Sequence, residues 1–186
     1  MEGALAWIGQ VVEWIGRWIP RLTILNTTFG GVCYTGHWRK EMTVTAHGPG
    51  LLVWWPLRTE LATYPIVRQT DDLRTQTFAT SDDKTVAAAG LVTYELSDIL
   101  LLLPRTFEPQ KLIREVSLTA IHDVCCRMSW DELKDEQRRG TLETKLRNAA
   151  RRQLEEYGVR VLRVQLTDLA PARVLKVIQT TGPDES

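Results

Sequence analysis

Residues 85–96 read TVAAAGLVTYEL and residues 107–126 read FEPQKLIREVSLTAIHDVCC. The first stretch is rich in β-branched and aromatic residues, as a strand requires. The second changes period. Leu112, Val116, Ala120 and Val124, with Ile113 and Ile121 beside them, form one apolar stripe at helical spacing. A strand-rich first half that gives way to a helical second half defines an α+β chain.

Working outward, residues 22–100 read as β-rich. Thr43-Val44-Thr45 and Leu51-Leu52-Val53 flank the turn Gly48-Pro49-Gly50, and the runs 62–67 and 73–78 follow. Asp82-Asp83 suits a hairpin tip before Thr85. On the helical side, Ser129 and Glu132 have capping-box spacing, so a new helix starts there. Leu142, Leu146, Ala149, Ala150 and Leu154 mark a third helix, which Gly158 terminates. Residues 159–166 return to strand. Residues 171–179 start a further helix with Pro171 in its first turn, and the tail 182–186 frays.

The 186 residues suffice for one domain or two small subdomains, and 44% hydrophobic content supports a core. Lys+Arg and Asp+Glu both total 23, which argues against a nucleic-acid partner. Cys33, Cys125 and Cys126 make a poor disulfide framework and favour a reducing compartment. No uncharged apolar run reaches the length of a membrane span, and the N-terminus lacks the basic start and cleavage site of a secretory signal.

Three of the seven tryptophans fall in the first 18 residues. On a helical wheel of residues 2–19, Leu5, Ile8, Val11, Val12, Ile15 and Ile19 form an apolar side. Glu2, Ala6, Gly9, Gln10, Glu13, Gly16 and Arg17 form the opposite one. Trp7, Trp14 and Trp18 line one border, and Pro20 ends the pattern. Indole rings prefer the headgroup level of a bilayer, so this layout suits a helix lying in the interface. Basic residues are sparse, so apolar burial and not lipid charge would do the holding. A spanning or re-entrant helix, and a helix packed on the core or on a neighbouring subunit, are the other readings. Gly9 and Gly16 lie on one line of the wheel, where a second helix could approach closely.

The order of these features resembles the stomatin/prohibitin/flotillin (SPFH, band-seven) domain family. Gly30-Gly31-Val32 with Tyr34-Thr35-Gly36 is similar to the family's opening strand and turn. Gly48-Pro49-Gly50-Leu51 with Trp54-Trp55-Pro56-Leu57 resembles its "PGL…P" segment. Tyr64-Pro65, Gln69-Thr70 and Thr80-Ser81-Asp82 follow in the family's order, then Val86 to Tyr94 with Asp98, Glu115 to Asp123, and Tyr157-Gly158-Val159 with residues 164–169. The resemblance covers roughly residues 28–175. It implies two subdomains, a membrane location, assembly into rings or cages around membrane proteases or other membrane proteins, and no shared catalytic residues. Family members commonly continue into a long coiled coil. This chain ends at Ser186, so assembly is expected to rest on the domain and the N-terminal helix.

The expected organisation is a membrane-associating helix at 1–21, a β-rich first subdomain at 22–100, an α/β second subdomain at 101–170 and a short helix and tail at 171–186. Membrane contact is assigned to Leu5, Trp7, Ile8, Val11, Val12, Trp14, Ile15, Trp18 and Ile19, with Leu51, Leu52, Trp54 and Trp55 as a second contact. For those last four, a buried strand with stacked indoles is the competing reading. The oligomer contacts expected are Gly9, Gly16, Glu143, Arg147 and Arg151, the arginines sitting in a helix where pairs such as Glu143 and Arg147 are i, i+4 neighbours. His122, Cys125 and Cys126 share one helical turn, too few for a structural zinc site and without a third orienting group for a nucleophile. No catalytic residue, metal or cofactor is expected. The partners expected are membrane lipid, further copies of the chain and a membrane-protein client, on the cytoplasmic face of a bacterial or phage-encoded system. A soluble oligomeric partner-binding module, its N-terminal helix an assembly contact, is the alternative; an enzyme using His122 and the cysteines is the third reading.

Overall fold

The computed structural model describes residues 18–37 and 40–172, together with Gly9, Val11, Trp14 and Gly16. Five strands come first: β1 (Arg21–Leu25), β2 (Phe29–His37), β3 (Lys40–His47), β4 (Gly50–Trp54) and β5 (Thr59–Pro65). The long hairpin β6 (Gln69–Ala79) and β7 (Thr85–Leu96) follows. Four helices come next, α1 (Ile99–Leu102), α2 (Pro109–Cys125), α3 (Trp130–Arg139) and α4 (Thr141–Leu154), and β8 (Val159–Pro171) closes the described chain. This is the α+β pattern expected from the change of period.

The strands form three sheets: a β1–β4 ribbon, a β3–β2–β5 sheet and a β6–β7–β8 sheet, with every pairing antiparallel. β6 and β7 therefore join β8 and the helices, not the strands that precede them. α1 straddles residue 100, where the sequence alone set a boundary. Strict alternation explains the centre of the larger sheet. Along β7, Val86, Ala88, Val92, Tyr94 and Leu96 are buried while their neighbours are half-buried. α2 and α4 cover this face, and Ile113, Ala120, Ile121, Leu142, Leu146, Ala150 and Leu154 complete the core.

β2 lies between two layers, and its glycines make that possible. A Cβ on Gly31 would stand 2.9 Å from Leu25 of the ribbon and 3.2 Å from Leu61. A Cβ on Gly30 would stand 2.9 Å from Ile66 and 3.0 Å from Ile99 of α1. Neighbouring residues point to opposite faces of a strand, so the ribbon covers one face of β2 and α1 the other.

Local signals hold where they rest on a defined hydrogen bond. Ser129 accepts from the Glu132 amide and the Glu132 carboxylate accepts from the Ser129 amide, the full capping box of α3. Gly158, at φ 69°, ends the 3-10 turn that follows α4. One expectation is corrected. β8 does not stop at Leu166 but runs to Pro171, paired with Val86, so Pro171 closes an edge strand and does not open a helix. Residues 173–179 of that expected helix lie outside the described residues.

Candidate membrane-facing surface

The β1–β4 ribbon has two faces. Thr23 pairs with Leu52 and Leu25 with Gly50; this side packs on β2, with Leu25 buried and the Trp54 indole N–H donating to Thr23 Oγ1 at 2.9 Å. Arg21 sits over the Trp54 ring, its Cζ 5.9 Å from the centroid. The other side pairs Leu22 with Val53 and Ile24 with Leu51. On a one-layer solvated ribbon these positions would be polar. Instead Leu22 is 68%, Ile24 75%, Leu51 67% and Val53 57% exposed.

The tryptophans adjoin this face. The Trp55 indole N–H donates to the Trp18 carbonyl at 2.9 Å, and the Trp14 and Trp18 ring centroids are 5.7 Å apart. Trp14, Trp18, Ile19 and Trp55 are all exposed. The N-terminal segment and the end of β4 thus meet, bringing together the two contacts that the sequence kept apart. Gly9, Val11, Trp14 and Gly16 have helical backbone. Leu5, Trp7, Ile8, Val12 and Ile15 lie outside the described residues.

Strand alternation divides the expected second contact. Leu51 and Trp55 are exposed, whereas Leu52 and Trp54 are half-buried against the sheet, as the buried-strand reading has it. Val53 lies within the stretch 51–55 that the sequence singled out, whereas Leu22 and Ile24 were missed. Their signal was the alternation Arg21-Leu22-Thr23-Ile24-Leu25 just after Pro20, a five-residue strand that shows its register only once its partner is known.

The other candidates have geometries of their own. A Cβ on Gly9 or Gly16 would meet nothing within 4 Å. The Glu143 carboxylate turns to Arg163 Nη2 across β8 at 3.7 Å in place of Arg147, because α4 packs along that strand. Arg147 and Arg151 are exposed on α4. Cys126 Sγ lies 3.4 Å from His122 Nε2, and His122 Nδ1 lies 3.8 Å from Asp123 Oδ1. Burial and the Asp123 charge push the Cys126 thiol up, and burial pushes Cys125 up to about 12. Both shifts favour the thiol over the thiolate, the form that attacks as a nucleophile. All three cysteines are free.

The model of the SPFH domain / Band 7 family matches residues 23–182. This chain belongs to the SPFH/Band 7 family. An uncharacterized protein of Archaeoglobus fulgidus is 23% identical to it over 163 residues, 88% of this chain and 63% of that relative's length. SPFH domains are in general membrane-associated, non-catalytic scaffolds. No helix among the described residues of this SPFH chain is long and apolar enough to cross a membrane. The exposed apolar side chains are concentrated where β1, β4 and the tryptophans meet.

Proposed function

We propose that this chain is a non-catalytic scaffold that lies on a membrane through one composite surface and assembles with its own copies into a ring or compact cage, organising a membrane microdomain or surrounding a membrane protein complex. The observation that carries the reading is the outer face of the ribbon. Leu22, Ile24, Leu51 and Val53 form an aliphatic block, with Trp14, Trp18 and Trp55 beside it. Aliphatic side chains gain by entering acyl chains, about 1.5–3 kcal/mol for each one fully buried, and indoles favour the headgroup level. Both strands of this two-stranded ribbon have an open edge with unpaired backbone groups, so the backbone stays at the headgroup level and only the side chains of the outer face enter the acyl region. Free cysteines fit a cytoplasmic face.

The test is flotation with neutral and anionic liposomes. The wild type should float with both. Ile24→Glu/Val53→Glu and Trp7→Glu/Trp14→Glu/Trp18→Glu should each remain with the soluble fraction. Unchanged flotation of both variants would overturn attachment through this surface. A wild type that stays soluble and oligomeric without lipid would favour the partner-binding module, with the same apolar surface as its assembly contact.

A further inference from the structure

Phe107 is 97% exposed, in the short loop between Arg105 and α2. It is held out from the body by a rigid frame. Pro104 and Pro109 fix the backbone on either side, and Pro109 opens α2. A pre-ordered aromatic loses little freedom on docking, which is why such residues dominate interface energetics. At the other end of α2 lies an open groove of about 580 Å³ between the end of that helix and α4. Val124, Met128 and Ala149 give it apolar lining, and Arg127, Lys145 and Arg152 stand along it. Lys145 is held by Glu136, whereas Arg127 and Arg152 are exposed guanidinium groups.

The two features are chemically complementary. The phenyl ring fits an apolar floor edged by guanidinium planes, on which aromatic rings stack. Glu108, next to the ring, offers a carboxylate to Arg127 and Arg152. Its present partner Lys111 is 3.6 Å away and exposed, a pairing worth little and easily exchanged. On the same loop, Arg105 has a counterpart in Asp123 of the groove. α2 has 17 residues, about 25 Å at 1.5 Å per residue, so knob and groove lie at opposite ends of one rigid element. One chain cannot join them. A second copy can, and a contact between different patches is head-to-tail, the kind that closes into rings.

We infer that Phe107 is the knob of a head-to-tail contact and that the groove lined by Val124, Arg127, Met128, Ala149 and Arg152 of a second copy is its socket. The inference rests on the reading of the chain as a self-assembling scaffold and names the contact that assembles it. It places assembly on α2 and α4, away from the ribbon that faces lipid.

The test uses the full chain, in detergent, by native mass spectrometry. The wild type should appear as multiples of the 21.2 kDa subunit. Phe107→Ser removes the knob and keeps the socket; Arg127→Glu/Arg152→Glu spoils the socket and keeps the knob. All three positions are exposed, so circular dichroism and melting should match the wild type. Each variant alone should run at the subunit mass. Mixed, they should give a species of twice that mass and nothing larger, because one knob and one socket remain. A variant that assembles like the wild type, or a mixture that stays monomeric, overturns the knob-and-socket contact. Phe107→Ser should still float with liposomes, so loss of this contact is read separately from loss of membrane attachment. A monomeric wild type would overturn both the contact and the self-assembly on which it rests.

Discussion

The Trp55 indole N–H donates to the Trp18 main-chain carbonyl at 2.9 Å, fastening the chain that enters β1 to the chain that leaves β4. The bond spans 37 residues and is solvent-exposed, so its thermodynamic weight is small, about 0.5–1.5 kcal/mol. Its consequence is local. Trp55→Phe keeps an aromatic ring and removes the donor. Trypsin should then cut faster at Arg17 and Arg21, with the global melting temperature nearly unchanged. Equal cleavage rates would show that the bond does not restrain this junction.

A second tether joins the larger sheet to α2. The Tyr94 hydroxyl donates to Asp71 Oδ2 at 3.1 Å, Gln110 Nε2 donates to Asp71 Oδ1 at 2.8 Å, and Arg114 Nε is 3.6 Å from the same carboxylate. Tyr94 is fully buried, so Asp71→Ala leaves its hydroxyl without that acceptor, at a cost of about 1–3 kcal/mol. Tyr94→Phe in the Asp71→Ala background should restore part of that loss. A denaturant-based double-mutant cycle measures the coupling, and strict additivity would mean that the two groups do not support each other.

Much of this fold is legible in the sequence because its rules are local. The period change at residues 85–126, the Ser129/Glu132 box and the glycine at 158 each depend on residues a few places apart. The ribbon is different. Whether Leu51 or Leu52 faces out depends on β1, some 25–30 residues earlier, and on the layer beneath it. A run such as Leu51-Leu52-Val53-Trp54-Trp55 is apolar on both faces, so composition alone cannot split it. Phe107 escaped for a similar reason: an aromatic between two prolines looks like any loop residue until its exposure is known.

Gly158 allows a direct check on the helix-to-strand corner. Its φ is 69°, and an added Cβ would press on the Asp98 carbonyl, whose own amide donates to the Gly158 carbonyl at 3.1 Å. The left-handed conformation costs a residue with a side chain about 1–2 kcal/mol, and the contact with a backbone oxygen adds to that. Gly158→Ala should therefore lower stability by at least that amount in chemical denaturation. A neutral result would place the corner in a different conformation.

Asp82 links the β6–β7 hairpin to α3 and makes stability depend on pH. Its carboxylate is held well below the usual range, first by its hydrogen bond with Lys84, then by those from Thr80 Oγ1 and the Trp130 amide. A carboxylate whose folded pKa is depressed stabilises the fold fully above its unfolded pKa, near 3.9, and loses that contribution as pH falls through the folded value. Asp82→Asn should melt below the wild type at pH 7. The gap should narrow as pH falls from about 4. A gap that stays constant down to pH 2 would mean that the charge plays no part.

The register of the ribbon yields the sharpest contrast, because two adjacent leucines should behave oppositely. Leu51 pairs with Ile24 on the outer face; Leu52 pairs with Thr23 on the side that packs against β2. Leu51→Gln exchanges one exposed side chain for another, so stability should change by no more than about 0.5 kcal/mol. Its flotation with liposomes should fall, because apolar area that would enter the acyl region is lost. Leu52→Gln places an amide in a half-buried apolar site, and stability should drop by about 1–3 kcal/mol. Molecules of that variant that remain folded should still float, because the outer face is intact. The reverse pattern would turn the ribbon over and move the membrane surface to Leu52 and Trp54.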